Sequence, residues 1–409
     1  MISQAKEKVM AQIFKLTWLA YFAAYIGRLN FTSIMGDLIK NNYLTFSETG
    51  VISMLYFITY GFGQVINGIL GDKLNPKYMV LGGLLLSGIS NFLMPFFSSL
   101  SGLIVIWGLN GYFQSMIWPP IIRIYSEYFS MKHKNNASVD IVSSMVLGSF
   151  IAYCIAAISL KFLNWKWVFY FSFIIMSLVS LIWFFYFDKL TLNLDSIYEK
   201  NNSKSNSNKE LKRFIINSGL LSLLIPVTVH GFIKDGIVSW IPTYIAERFY
   251  VSSSFSIVVT MMIPLLNLSG AYMAKYINKK NPNKEVKSSG YFFFLSTVSL
   301  ILLMTVGLNS IYFTGFLFAI ITASMLAINT LLVNILPSHF ASQHRVATVS
   351  GLFNAISHFG SAIAALSIGI IVEFFGWPIT VFSWVLVALL SFVLCIIKRE
   401  LDYSKPNGR

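Results

Sequence analysis

The chain has 409 residues, 56% of them apolar and only 11% charged, whereas ordinary soluble chains are roughly 45–50% apolar and about 25% charged. That composition cannot cover a soluble molecule of this size with polar surface, and 36 Phe among the residues exclude a disordered chain. The net charge of +14 lies mainly between apolar runs, so it is explained by membrane topology and implies no nucleic-acid partner.

The apolar runs are about 20 residues long, the length of a helical crossing, and lack the short alternating strands of a barrel. In chain order they predict twelve transmembrane helices. The first six cover 13–39, 49–70, 78–97, 103–129, 137–162 and 167–187. The second six cover 215–246, 255–273, 290–306, 311–336, 348–375 and 379–397. Residues 1–15 contain no small-residue cleavage site, so no signal peptide is expected. Residues 189–213 are polar and unable to bury a core, which makes them a linker between a bundle at 1–188 and a second at 214–409. The expected fold class is an all-α membrane protein of two pseudo-symmetric six-helix bundles. Cys154 and Cys395 sit in apolar runs and imply neither a disulfide framework nor a metal site.

Of the 30 Lys and Arg, Arg28 and Lys234 fall inside spans, and Lys40, Lys161, Lys166 and Arg248 fall on the odd-loop side. The remaining 24 share the side that holds the linker and both termini. The positive-inside rule then makes that side cytoplasmic and the protein a multi-pass component of the cell (inner) membrane. The halves also repeat weakly. Arg28 and Lys234 are offset by 206 residues, Trp165 and Trp377 by 212, and the Gly-Asp-Lys run at 71–73 has a counterpart near Lys275. Such repetition of six-helix halves is a mark of transporters with a midplane site.

Polar groups inside the spans carry the functional signal. Arg28 lies at mid-span, where an Arg costs about 2.5–3.5 kcal/mol even on the lenient insertion scale. Either an acidic partner or an anionic ligand must offset that cost. Lys234 repeats the situation in the seventh span. Asp235 follows it, and on an α-helix adjacent residues diverge by about 100°, so Asp235 is expected to face elsewhere, as an interhelical contact or a carrier of a coupling proton. Two cations converging from equivalent helices describe a cavity for a small anion, with Arg offering a planar fork and Lys a point charge. Tyr25 shares the face of Arg28, and Tyr56, Tyr60 and Gln64 stripe the second span at helical spacing. His230 and His358 are single intramembrane histidines. Asp140 opens the fifth span, where it is expected to pair with Arg123 or the 71–77 loop as a latch. No phosphate-binding glycine loop of the ATP-driven type and no nucleophile–base or metal constellation is present, so neither ATP-driven transport nor an enzyme is expected, and no cofactor.

Several blocks together resemble a known family. GILGDKLNPK at 68–77 is similar to the hallmark loop of the major facilitator superfamily, and its Asn-Pro ending is similar to the organophosphate:inorganic phosphate antiporters within it. YIGRLNF (25–31), GYFQSMIWPP (111–120), GIVSWIPTY (236–244) and SGLFNAISHFG (350–360) agree and follow in order along the chain. The resemblance implies a phosphate held by Arg28 and Lys234 in an inward-facing pocket, with Lys234 standing where the glycerol-phosphate carriers usually have Arg. It places Ser144 where those carriers have a span-five histidine and Gln64 where they have a span-two lysine, and it gives Asp72 a conformational role in the hallmark loop. The expected function is exchange of a sugar or glycerol phosphate for inorganic phosphate by a protein working as a monomer in the lipid bilayer. The alternatives are proton-coupled symport of an organic carboxylate such as a hexuronate, with Asp235 or His358 carrying the proton, and a non-transporting sugar-phosphate sensor.

Overall fold

The long apolar runs fold as helices because a segment in lipid must satisfy every backbone N–H and C=O within itself. The computed structural model describes residues 2–71, 73–129, 140–191, 220–343 and 346–397. Among these residues eleven helices are long and apolar enough to cross a membrane. They are α1 (Glu7–Lys40), α2 (Phe46–Gly71), α3 (Pro76–Phe96), α4 (Leu100–Tyr125), α5 (Val142–Phe162), α6 (Lys166–Thr191), α7 (Leu220–Arg248), α8 (Ser253–Lys280), α9 (Glu285–Thr305), α10 (Ile311–Phe340) and α11 (Val349–Ile397).

Local chemistry sets several helix starts. Thr45 and Glu48 form a reciprocal capping box at α2: the Glu48 N–H donates to Thr45 Oγ1 at 3.2 Å, and the Thr45 N–H donates to Glu48 Oε2 at 2.8 Å. Asn75 caps α3 by accepting from the Lys77 N–H at 2.9 Å, with Pro76 at the first helical position. Ser99 and Ser310 cap α4 and α10 in the same way.

The expected eleventh and twelfth spans form one continuous element, α11. At 1.5 Å per residue its 49 residues would reach about 74 Å, more than twice the roughly 30 Å of hydrocarbon, so it crosses twice. The break is Gly376, at φ 74° and ψ 176°, a conformation essentially closed to residues with a Cβ, and Pro378 follows it. Twelve crossings therefore appear as eleven helices.

By internal contacts the chain divides into one unit of Met1–Asn201 with Val251–Met261, and a second of Asn202–Tyr250 with Met262–Arg409. Nothing in the hydropathy pattern marks the start of α8 as clustering with the first unit. Ser254 donates to the Ala157 carbonyl on α5 at 2.8 Å, and Cys154 donates to Met261 Sδ at 3.7 Å. In the first unit α2 packs on α4, α1 on α5 and α6, and α3 on α4 and α6. In the second, α8 packs on α10, α7 and α9 on α11, and α9 on α10. The internal repeat read in the sequence is thus a repeat of packing partners.

Trp107, Trp183, Phe31 and Phe169 are fully buried in the first unit, and Trp240, Trp384, Phe293 and Phe353 in the second. Lipid tails are as apolar as these side chains, so they stabilise each unit by close contact and not by transfer from water. Leu178, Leu181 and Phe185 on α6 and Leu386, Leu389 and Leu390 on α11 face outward, as lipid-contacting surfaces do.

Gly376→Ala forces a Cβ into the break and should cost about 1–3 kcal/mol. Thermal unfolding of the purified protein in detergent checks this; an unchanged midpoint would show that the break tolerates a side chain.

Candidate functional site

In the first unit Arg28 lies on α1 and is 9% exposed. Its guanidinium carbon is 4.8 Å from the Tyr60 ring centre and 5.4 Å from that of Tyr25, three residues earlier on the same helix. Each such contact is worth about 0.5–2 kcal/mol, depending on how far it is removed from water. The Tyr60 ring stacks at 6.1 Å on Tyr56, which stacks at 5.5 Å on Trp107 of α4, so the cradle is anchored in the core. Gln64, half-buried, follows Tyr60 by one helical turn. Ser144 is fully buried, and its hydroxyl donates to the Ile141 carbonyl at 2.6 Å in its own helix.

In the second unit the expectation for Asp235 needs correction. Lys234 Nζ lies 3.1 Å from Asp235 Oδ2, so the two form an ion pair. The 100° argument assumed α geometry, but Phe232–Ile237 is a π-helical turn. Its wider i→i+5 winding brings successive side chains closer in direction, and the long Lys stem completes the approach. Ser361 of α11 donates to the same carboxylate at 3.4 Å, and His358 Nδ1 lies 3.7 Å from it. Lys234, Asp235, His358 and Ser361 thus form one cluster across α7 and α11. The Lys234 and Asp235 side chains are 24% and 20% exposed, and that of His358 is 4% exposed.

His230, one turn before Lys234, is fully buried. Its Nε2 lies 3.2 Å from the Met325 carbonyl, which only accepts, so Nε2 carries the hydrogen. Nδ1 then accepts from Ser357 Oγ at 3.3 Å. This histidine is a packing residue with both nitrogens engaged.

Away from these charges, Arg123 reaches the hallmark loop. Its Nη1 donates to the Gly71 and Leu74 carbonyls at 2.6 and 2.8 Å, and its Nε to Glu127 at 2.6 Å. Asp72 lies outside the described residues. Asp140 is exposed at the start of α5, its carbonyl accepting from Ser143. Two features escaped the sequence reading. Glu285, 1% exposed, pairs with His339 at 2.9 Å; the available signal was that Glu285 is the only acid between Glu247 and Glu373. The other is a set of buried amides around Arg28, whose signal was Asn and Gln inside apolar spans.

The family model described as Major Facilitator Superfamily matches residues 17–365. The glycerol-3-phosphate transporter of Bacillus subtilis (strain 168) is 27% identical over 91% of this chain and 88% of its own. A probable hexose phosphate transport protein of Chlamydia muridarum is 22% identical over 93% and 90%. A solved bacterial homolog of the human lysosomal transporter Spinster aligns with a TM-score of 0.80 at 14% identity, covering 95% of this chain and 96% of that one. That likeness concerns the fold alone.

Asp235→Asn keeps the side-chain shape and removes the charge that holds Lys234. A partly exposed pair of this kind is worth up to about 1 kcal/mol, so Asp235→Asn should lower stability by no more than about that amount. Thermal unfolding of the purified protein in detergent reads this directly, and a much larger loss would show that Asp235 holds more than Lys234 in place.

Proposed function

The chain belongs to the Major Facilitator Superfamily, and from that membership we propose that it exchanges a small organic phosphate ester for inorganic phosphate by alternating access. The observation that carries the reading is Arg28, a planar cation buried at mid-span and steadied by two phenol rings. A fork of N–H donors fits phosphate bidentately. The substrates named for the relatives from Bacillus subtilis and Chlamydia muridarum, glycerol phosphate and hexose phosphate, are of that chemistry.

Lys234 is the second cation of the proposal, assigned through its 206-residue offset from Arg28. Its carboxylate partner makes it a conditional ligand: an incoming phosphate competes with Asp235 for the ammonium. The exchange mode follows from electrostatics. A conformational change that removes a cation further from water is costly, and a bound anion offsets that cost, so the loaded carrier reorients more readily than the empty one. We place the protein in the cell membrane with the linker and termini cytoplasmic, on the distribution of its basic residues. Proton-coupled uptake of an organic anion is the second reading, favoured by the approach of His358 to Asp235.

Counterflow in proteoliposomes separates the two. Uptake of a labelled phosphate ester should depend on inorganic phosphate loaded inside and not on an imposed pH gradient; the reverse dependence would establish the second reading. Arg28→Lys retains the charge and loses the fork, so counterflow by the correctly inserted protein should fall by at least about tenfold. Undiminished counterflow would remove Arg28 from the ligand set.

A further inference from the structure

Five amide and hydroxyl side chains, none more than 4% exposed, surround the backbone of α1 on either side of Arg28. Asn91 of α3 and Asn110 of α4 both donate to the Gly27 carbonyl, at 3.3 and 3.2 Å. Gln114 of α4 donates to the Ala24 carbonyl at 3.0 Å. In an uninterrupted α-helix the Gly27 carbonyl serves the Phe31 N–H and the Ala24 carbonyl serves the N–H of Arg28 itself. Here the Phe31 N–H also donates to Asn30 Oδ1 at 2.9 Å, and the two side-chain amides add their bonds to the Gly27 carbonyl within the continuous helix. The network closes on itself. Asn30 donates to Asn91, Ser87 donates to Asn110 Oδ1 at 2.5 Å, and Gln114 donates to Ser87 at 2.8 Å.

Gly27 makes the arrangement possible. A Cβ there would sit 2.3 Å from Met176 Sδ and 3.3 Å from Asn91 Nδ2, so a side chain would push both away. We infer that Asn91, Asn110 and Gln114 are positioning residues for Arg28: they tie the Ala24 and Gly27 carbonyls to α3 and α4 and so fix the Arg28 backbone, with the guanidinium held ready for its anion. The inference rests on the reading of Arg28 as a phosphate ligand. Buried amides hold membrane helices together by bonding between them, and the same amides serving only as interhelical adhesive would have no need to converge on carbonyls of the turn that carries Arg28.

The test uses the full-length protein in detergent, with two readouts: affinity for inorganic phosphate, and deuterium exchange of the α1 segment 24–33. Ser180→Ala is the control, since Ser180 is equally buried but donates within α6, to the Met176 carbonyl. Asn110→Ala and Asn91→Ala should each weaken phosphate binding by between about threefold and about twentyfold, the range that interhelical hydrogen bonds in membranes span, and should speed exchange in the α1 segment. Ser180→Ala should change neither. Faster exchange with unaltered phosphate affinity in folded Asn variants would overturn the positioning role, and unaltered exchange would overturn the tie to α1. Where an Ala variant does not fold, Asn110→Ser and Asn91→Ser give the same two readouts with a smaller loss of volume. If the wild-type protein itself fails to bind phosphate, the functional reading is at fault, and the positioning inference falls with it, whereas the exchange data still decide whether α1 is tied.

Discussion

A guanidinium held away from water governs the organisation of the first unit. Its cost at a helix centre, about 2.5–3.5 kcal/mol on the lenient scale, is large beside most single interactions in a folded domain. Two aromatic faces, Tyr25 and Tyr60, attract the cation and offset part of that cost. The contact has a structural requirement of its own, because a long side chain on a loosely held helix would lose its aim. The buried amides around Ala24–Phe31 answer that requirement through the backbone.

The second unit treats its cation differently. Lys234 is paired with the next residue in the chain, within the π turn at Phe232–Ile237. The carboxylate is shared with Ser361 and approached by His358, so it has more than one partner besides the ammonium. A flexible ammonium stem is suited to changing partners, as a planar guanidinium is suited to holding one. Arg28 and Lys234, offset by 206 residues, thus sit in different settings, one against aromatic rings and the other in an ion pair shared across two helices.

How much of this the sequence disclosed depends on the distance over which each feature is encoded. The spans, the Asn75-Pro76 start of α3 and the charged mid-span residues are local, and hydropathy with turn chemistry reads them. The Thr45–Glu48 box is equally local. The Lys234–Asp235 pair is adjacent in sequence yet was misread, because the angular rule applied to it holds only for α geometry and composition does not announce a π turn. Gly376 could be recognised as a breaker but not as a positive-φ residue joining two crossings in one element. The amide network was out of reach for a different reason: its bonds from α3 and α4 to α1 link residues 61 to 90 positions apart, and no single-residue rule tells a buried Asn that anchors a neighbouring helix from one that merely bonds within its own. The same holds for Glu285 and His339, 54 positions apart.

The packing of the two units repeats more faithfully than their polar chemistry, and one detail shows how a repeat can conserve mechanics while changing the groups that provide it. Ala24 stands four residues before Arg28, and its carbonyl is held by Gln114 from α4. His230 stands four residues before Lys234, and its ring reaches the Met325 carbonyl on α10. In the first unit the side chain comes from the neighbouring helix and the carbonyl from the cation's own; in the second the direction is reversed. Both arrangements tie the turn preceding the cation to the corresponding partner helix, α4 in one case and α10 in the other. A hydrogen bond constrains both helices whichever of them donates it, so substitution can exchange donor and acceptor without freeing the turn. What must persist is an anchored turn next to a charge that has been taken out of water.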